Sequence, residues 1–164
     1  MREAARKAIE ERLEFCRTQN NGMAFGLVQL GMAAAHLGDT AHAWECVRWL
    51  SNLYWTPGQV SYHDPGQIFN LDISGGLPAV VSYMLLQSTP DRINLLPCLP
   101  KDWPDGKVKE LRARGGFVVD LEWENYHPVK VVITSVAGKK TELVFDDHVE
   151  VIEIPLGSSK KISF

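Results

Sequence analysis

The sequence predicts an α+β protein in which helices come first and antiparallel strands follow. Apolar residues recur at helical spacing up to about residue 88, whereas they alternate with polar residues from residue 117 onward. Turn residues separate the short apolar runs of the second half at roughly eight-to-twelve-residue spacing. Because helices and strands are segregated along the chain, we expect two domains, residues 1–90 and residues 91–164, the second resembling an antiparallel β-sandwich.

The composition indicates a folded globular protein and argues against several functions. Of the 164 residues, 45% are hydrophobic and 23% are charged, which is typical of globular chains. The net charge of -3, with acids and bases interspersed, provides no basic stripe for nucleic acid and no polybasic segment for a membrane surface. We also expect no membrane span and no secretion signal, because no apolar run of roughly 18 residues occurs and the basic N-terminus lacks a following apolar region.

The three cysteines indicate neither a disulfide framework nor a zinc site. Cys16, Cys46 and Cys98 lie far apart, and no CxxC pair occurs. We expect them to be small buried apolar residues, and we expect no bound metal.

Three helices are predicted in the first third of the chain. The first, at about residues 2–17, is amphipathic, with an apolar residue every three or four positions on one face. These residues are Ala5, Ile9, Leu13 and Cys16. The second, at about residues 23–37, is apolar nearly all round and therefore belongs inside a larger set of helices. Gly38 can end it in a left-handed conformation, and Asp39 or Thr40 can cap the third helix.

A long connection follows the third helix. Residues 55–72 lack helical periodicity and are rich in turn residues and aromatic residues, which predicts an irregular loop. Loops of this length inside a compact fold are often functional. A fourth apolar helix is expected to begin at residues 74–77, with Pro78 in its first turn, and to end at about Ser88.

The second half contains five predicted strands. The clearest covers residues 117–123, where Phe117, Val119 and Leu121 share one face. The other apolar runs lie at residues 131–136, 143–145, 149–154 and 162–164. Each run is short enough for a strand, and glycine, aspartate or serine residues separate them.

Several segments closely resemble the C-terminal part of glycoside hydrolase family 95. The strongest likeness is the run Phe-Asn-Leu-Asp-Ile-Ser-Gly-Gly at residues 69–76, with further matches at residues 93–106, 111–117 and 120–123. Residues 21–24 and 37–39 are more loosely similar to the last helices of that family. Asn70 stands where the family motif Phe-Gln-Ile-Asp-Gly-Asn has Gln, and Ile73-Ser74 stand where it has Gly-Asn.

The resemblance implies an architecture and an activity. The family comprises inverting α-L-fucosidases and some α-L-galactosidases, built from an N-terminal β-domain, an (α/α)6 toroid and a C-terminal β-domain. Residues 1–90 would then be the last toroid helices with an active-site loop, and residues 91–164 the C-terminal β-domain. Asp72 matches the motif aspartate that orients or activates the base side of the reaction. The general-acid glutamate lies upstream in the family, so we expect a fragment that is inactive alone.

Four residues are candidates for the site. Asp72 is the catalytic candidate, although an aspartate at this position could simply cap the following helix. His63 and Asp64, in the long loop, could bind sugar hydroxyls or could be ordinary surface residues. Asn70 would point to the same side as Asp72 if the chain is extended there, and could assist substrate binding. We expect Phe69 to pack within the loop.

Other functions stay open at this stage. The chain could be a non-catalytic glycan-binding or scaffolding module, or part of another (α/α)6 glycan enzyme such as a disaccharide phosphorylase. Hydrolysis of this type requires no cofactor. Besides a glycan, the expected partners are a second copy of the chain or the N-terminal region of a parent enzyme, since unpaired toroid helices would expose apolar faces. The parent enzyme is expected to be exported, although the chain itself carries no address.

Overall fold

The computed structural model describes residues 1–19 and 22–164, and the chain divides into two compact units, Met1–Met84 and Leu85–Phe164. Helices dominate the first unit and strands the second, which confirms the α+β class. The division lies after Met84, whereas the predicted domains meet after residue 90, and the identity of each unit as a separate domain stays a prediction. Asn21, in the segment similar to the family's last helices, lies outside the described residues.

The first unit contains helices and one small hairpin. Its elements are α1 (Arg2–Gln19), α2 (Ala24–Leu37), α3 (Thr40–Leu53), β1 (Tyr62–Asp64), β2 (Gln67–Phe69) and α4 (Asp72–Leu85). The predicted apolar face of α1 is confirmed at its centre, where Ile9 and Leu13 are buried. Toward the ends of the helix, Ala5 is exposed and Cys16 is partly exposed. None of the helices in the described ranges is both long and apolar enough to cross a membrane.

The turn between α2 and α3 follows the prediction. Gly38 adopts a left-handed conformation with φ of 68°, and its N–H and that of Asp39 bond to carbonyls in the last turn of α2. The Asp39 carboxylate accepts a hydrogen bond from the His42 N–H and caps α3. On α2, Phe25 remains 51% exposed, so this helix is not covered on all sides.

A charged network joins α1 to α3. Arg17 bonds to Glu45 and also to Glu10 and Glu14 on its own helix, at 2.8 to 2.9 Å. The hydrogen bond from Arg17 lowers the pKa of the Glu10 carboxyl. His42 lies between Glu10 and Asp39, with one ring nitrogen facing each carboxylate.

Helix α4 differs from the prediction at both ends. It begins at Asp72, two residues before the expected range, so that Asp72 lies in the first turn and Pro78 lies inside the helix. It ends at Leu85 because residues 86–89 instead pair with residues 92–95 across the turn at Pro90 and Asp91. Gly76 allows α4 to approach α2 closely, since a Cβ there would lie only 2.4 Å from Cγ2 of Val28.

The second unit is built from two four-stranded sheets among the described residues. Its strands are β3 (Leu86–Thr89), β4 (Arg92–Leu95), β5 (Gly106–Ala113), β6 (Phe117–Glu124), β7 (His127–Ser135), β8 (Lys140–Phe145), β9 (His148–Glu153) and β10 (Ser159–Ile162). One sheet has the order β10-β7-β6-β5 and the other β3-β4-β8-β9. Strands β3, β4 and β5 were not predicted. Strands β3 and β4 have only four residues each, too few for a distinctive pattern, and β5 does not alternate strictly.

One strand pair corrects the expectation of a purely antiparallel domain. Strands β4 and β8 run parallel, with Ile93 opposite Leu143, whereas the other pairs in the two sheets are antiparallel. Parallel neighbours need a long crossover, and here the connection includes β5, β6 and β7. The alternation in β6 is as predicted, because Phe117, Val119 and Leu121 are all buried.

Two of the three cysteines are buried, as expected. These are Cys46 and Cys98, whereas Cys16 is partly exposed. Burial raises the pKa of the Cys46 thiol to about 12, so this thiol is neutral at physiological pH and packs as an apolar group.

Candidate functional site

The connection before α4 is a hairpin and not the irregular loop that was predicted. Strands β1 and β2 pair antiparallel, with Tyr62 opposite Phe69 and Asp64 opposite Gln67. The turn is Pro65-Gly66, and Gly66 has a φ of 75° that glycine adopts without strain. The hairpin reverses the chain, so that the residues on either side of it contact each other just before α4 begins.

Ser61 fixes the residue that joins the hairpin to α4. The N–H of Asn70 donates to the Ser61 carbonyl at 3.1 Å, and the Ser61 hydroxyl donates to the Asn70 carbonyl. Ser61 is only 2% exposed, so these bonds are shielded from water. The sequence analysis did not single out Ser61. The alternation of polar and aromatic residues at positions 61–63 is the signal that could have indicated a strand there.

The Asn70 side chain links Asp72 to His63. Its Nδ2 lies 2.7 Å from Asp72 Oδ2 and 2.9 Å from His63 Nδ1, and its Oδ1 accepts a 2.5 Å hydrogen bond from the Asp72 N–H. An N–H can only donate, so the atom facing it must be the amide oxygen, which leaves the NH2 group facing the carboxylate. The structure therefore brings together three of the four predicted site residues.

Asp72 presents an exposed carboxylate at the beginning of α4. A negative charge in the first helical turn interacts favourably with the helix dipole. The helix-capping contact comes from Asn70, whose side-chain oxygen accepts a first-turn N–H, and the Asp72 carboxylate accepts from the Asn70 amide. The Asp72 carboxylate is thus held in place while it remains open to solvent.

The hydrogen bonds that join Asp72, Asn70 and His63 do not include Asp64. Its Oδ1 is buried and has no hydrogen-bond partner among the described residues, although its side chain as a whole is only partly buried. Burying a carboxylate oxygen without a hydrogen-bond partner raises the free energy of the folded chain. A conformation in which this oxygen accepts a hydrogen bond would therefore be more stable. The role of Asp64 in binding substrate stays a prediction.

Apolar side chains are exposed beside the cluster. Ile68, Phe69 and Leu71 are 68%, 61% and 69% exposed. Phe69 was expected to pack within the loop, and this expectation is wrong, because most of its side chain is exposed. Within residues 1–19 and 22–164, no group of three or more metal-ligating side chains comes close enough to hold an ion.

A comparison with models of known protein families finds a match in the second unit. Residues 87–162 match the model of the glycoside hydrolase family 95 C-terminal domain. These residues are a family 95 C-terminal domain. The resemblance that the sequence indicated is thereby confirmed, and the matched range covers strands β4 to β10 completely.

A curated relative extends the similarity beyond this domain. The chain is 30% identical over 151 residues to a protein named alpha-L-fucosidase 2 from Arabidopsis thaliana, with 85% of the chain covered. The chain spans 17% of that relative's length. The four predicted site residues lie N-terminal to the range that matches the family 95 domain model.

Proposed function

We propose that this chain supplies the base-side aspartate, Asp72, of an inverting exo-glycosidase that hydrolyses terminal α-L-fucosyl or α-L-galactosyl linkages. The observation that carries the proposal is the 2.7 Å hydrogen bond from Asn70 Nδ2 to Asp72 Oδ2. It orients one carboxylate oxygen and leaves the other open to a water molecule or a sugar hydroxyl. The name of the Arabidopsis relative supports this class of substrate.

The reaction requires a second carboxyl group. Inversion uses one carboxylic acid to protonate the leaving oxygen and a base on the opposite face to activate water, with the two roughly 6.5–9.5 Å apart. In this proposal Asp72 acts on the base side. The family resemblance assigns the acid to a glutamate upstream of the motifs matched here. We therefore expect no turnover by these 164 residues alone.

His63 and Asn70 would contribute to substrate binding around Asp72. The His63 ring is partly buried against Asn70, at 2.9 Å from its amide nitrogen, so its position is fixed relative to the carboxylate. The exposed Phe69 ring beside the cluster provides an apolar face on which a sugar ring could stack. Asp64 would join the site only if its buried oxygen turned toward a donor.

We propose in addition that the helices of the first unit form the end of an (α/α)6 toroid, and that the second unit is a β-sandwich. Antiparallel α2 and α3, joined by the tight turn at Gly38, have the hairpin form that such a toroid repeats. Phe15, Met23 and Leu53 are 62%, 56% and 46% exposed, as expected of surfaces that further helices or a second copy would cover. A strictly monomeric chain in light scattering would count against the second copy.

The glycan-binding part of the proposal can be tested on the chain itself. In an NMR titration of the labelled chain with L-fucose and L-galactose, we expect shifts of the Asn70 side-chain amide and the His63 ring. Asp72→Asn should abolish these shifts. Asp102→Asn, which removes the same charge from an exposed position in the second unit, should leave them unchanged. Binding that is equal in both variants would contradict a role for Asp72.

The catalytic part needs a separate assay. Release of the aglycone from aryl α-L-fucoside and α-L-galactoside should be absent with the chain alone. Turnover that depends on Asp72 would show that the chain forms a complete site and would overturn the expected requirement for an upstream acid. Turnover that requires phosphate would instead identify a phosphorylase.

A further inference from the structure

The orientation of the Asn70 carboxamide determines the protonation state of its neighbour. The amide NH2 has two hydrogens, of which one bonds to Asp72 Oδ2 at 2.7 Å and the other points to His63 Nδ1 at 2.9 Å. An amide nitrogen does not accept hydrogen bonds, so Nδ1 must be the acceptor and must carry no proton. In the neutral His63 ring the hydrogen then lies on Nε2.

We propose that Asn70 is a positioning residue that fixes His63 as the Nε2-protonated tautomer, so that the site presents a histidine donor beside a carboxylate acceptor. This inference rests on the proposed glycan-cleaving function for its biological meaning. The tautomer itself follows from the three contacts of the Asn70 side chain.

The backbone around Asn70 makes this arrangement rigid. Both the N–H and the carbonyl of Asn70 bond to the buried Ser61, and the side-chain oxygen bonds to the Asp72 N–H. Rotating the carboxamide by half a turn would place its oxygen against the Asp72 carboxylate and its NH2 against an N–H. Both new contacts would be repulsive, so one orientation is strongly favoured.

The outward-facing atoms then have complementary roles. No hydrogen bond to another described residue involves His63 Nε2 or Asp72 Oδ1. The first is a donor and the second an acceptor, and each sugar hydroxyl can both donate and accept. A histidine with the opposite tautomer would present a second acceptor beside the carboxylate, which suits a cation with several N–H donors. A donor beside an acceptor suits a hydroxyl, which accepts from Nε2 and donates to Asp72. The tautomer therefore selects a polyhydroxylated ligand in preference to a cation.

The substitution Asn70→Asp tests this role with almost no change of shape. The new carboxylate keeps the oxygen that caps the Asp72 N–H, and Asp caps helices about as well as Asn. Its second oxygen would face both His63 Nδ1 and Asp72 Oδ2. The added negative charge, placed against another carboxylate, would attract a proton to Nδ1. Asn70→Ala removes the contact altogether and allows both tautomers.

The tautomer can be measured directly by long-range proton–nitrogen NMR on the chain labelled with nitrogen-15 histidine, at about pH 8, where ordinary imidazoles are mostly neutral. The spectrum of His63→Gln assigns the resonance. In the natural chain we expect an unprotonated Nδ1 and a protonated Nε2. In Asn70→Asp we expect the proton on Nδ1, and in Asn70→Ala a mixture of tautomers.

Two results would overturn the positioning role. One is a natural chain in which His63 exchanges between tautomers or carries its proton on Nδ1. The other is an Asn70→Asp spectrum identical to the natural one. Because Asn70→Asp retains the helix cap, it decides the question even if Asn70→Ala does not fold. Addition of L-fucose separates the tautomer proposal from the proposed glycan function. If the tautomer is fixed but the Nε2 resonance does not move when L-fucose is added, only the glycan function is contradicted.

Discussion

Arg17 of α1 binds Glu45 of α3 through two hydrogen bonds, from Nε and Nη2, each 2.8 Å long. The planar guanidinium fits a carboxylate in this two-pronged way, which an ammonium group cannot do. Both side chains are largely shielded, at 31% and 24% exposure. The pair therefore fixes how α1 lies against α3.

Replacing Arg17 should loosen α1. We expect Arg17→Met, which keeps an apolar stem, to lower the free energy of unfolding of the first unit by about 1 kcal/mol, because the pair is partly exposed and screened. Arg17→Lys should recover only part of this loss. Hydrogen exchange of the α1 amides and urea unfolding measure both effects. Equal stability of the Lys variant and the natural chain would show that only the charge matters.

His42 should make the attachment of α1 depend on pH. Burial lowers the pKa of His42, but its hydrogen bonds and charge interactions with Asp39 and Glu10 outweigh burial and raise the pKa above 6.5. A raised pKa means that the stabilisation is fully present below pH 6.5 and is lost as the pH rises through the folded-state value.

A comparison of the natural chain with His42→Gln isolates this effect. The stability difference between them, measured by urea unfolding at several pH values, should be largest in acid and should shrink as the pH rises above 6.5. Glu10 on α1 and Asp39 on α3 are the carboxylates that face the ring. A difference that grows with pH would show that His42 is neutral in the folded chain.

Two adjacent glycines in α4 should respond oppositely to alanine. A Cβ at Gly76 would lie 2.4 Å from Val28 Cγ2, whereas a Cβ at Gly75 would meet nothing within 4 Å. We expect Gly76→Ala to destabilise the first unit by about 1–3 kcal/mol through overpacking. Gly75→Ala should stabilise it by up to about 1 kcal/mol through helix propensity.

Thermal unfolding of the two alanine variants provides the measurement. The double variant Gly76→Ala with Val28→Ala should regain part of the loss, because the smaller residue makes room for the new methyl group. If both single variants had the same stability, the close approach of α2 and α4 would not exist as described.

Tyr54 should stabilise the first unit, and its hydroxyl should lose its proton only at high pH. Its side chain is 1% exposed, its hydroxyl donates to the Gly22 carbonyl, and burial raises its pKa to about 12. Tyr54→Phe should cost about 1–3 kcal/mol, since a buried carbonyl loses its partner. The raised pKa means that this stabilisation is present below pH 10 and is lost between pH 10 and about 12.

Absorbance titration of the phenol groups checks the raised pKa of Tyr54. The natural chain should show a late phase near pH 12 that is missing from Tyr54→Phe. A titration curve without such a phase would indicate that water reaches the Tyr54 hydroxyl.

Local patterns predicted the helices well because their causes are local. The apolar face of α1, the left-handed Gly38 and the Asp39 cap each depend on residues within a few positions, and the structure has all three. Helix α4 was extended too far, to Ser88, because residues 86–88 are compatible with a helix. Their pairing with β4 overrides that preference.

The sequence indicated the residues of the cluster but not its geometry, and the role of these residues as a site stays a prediction. The family motif indicated Asp72, and Asn70 follows from its position two residues earlier. The contact between Asn70 and His63 depends on the β1–β2 hairpin, whose register places Tyr62 opposite Phe69. Strand pairing is set by partners distant in sequence, so neither the contact nor the role of Ser61 could be derived from local pattern.

The parallel pairing of β4 with β8 has a consequence for the order of folding. Hairpins such as β6–β7 close over a few residues, whereas β4 must wait until β8 arrives after the whole of β5, β6 and β7. Closing so large a loop has a high entropic cost before any contact is gained, and such topologies fold slowly. The sheet containing β3, β4, β8 and β9 should therefore assemble last in its unit, after the three-stranded meander has formed.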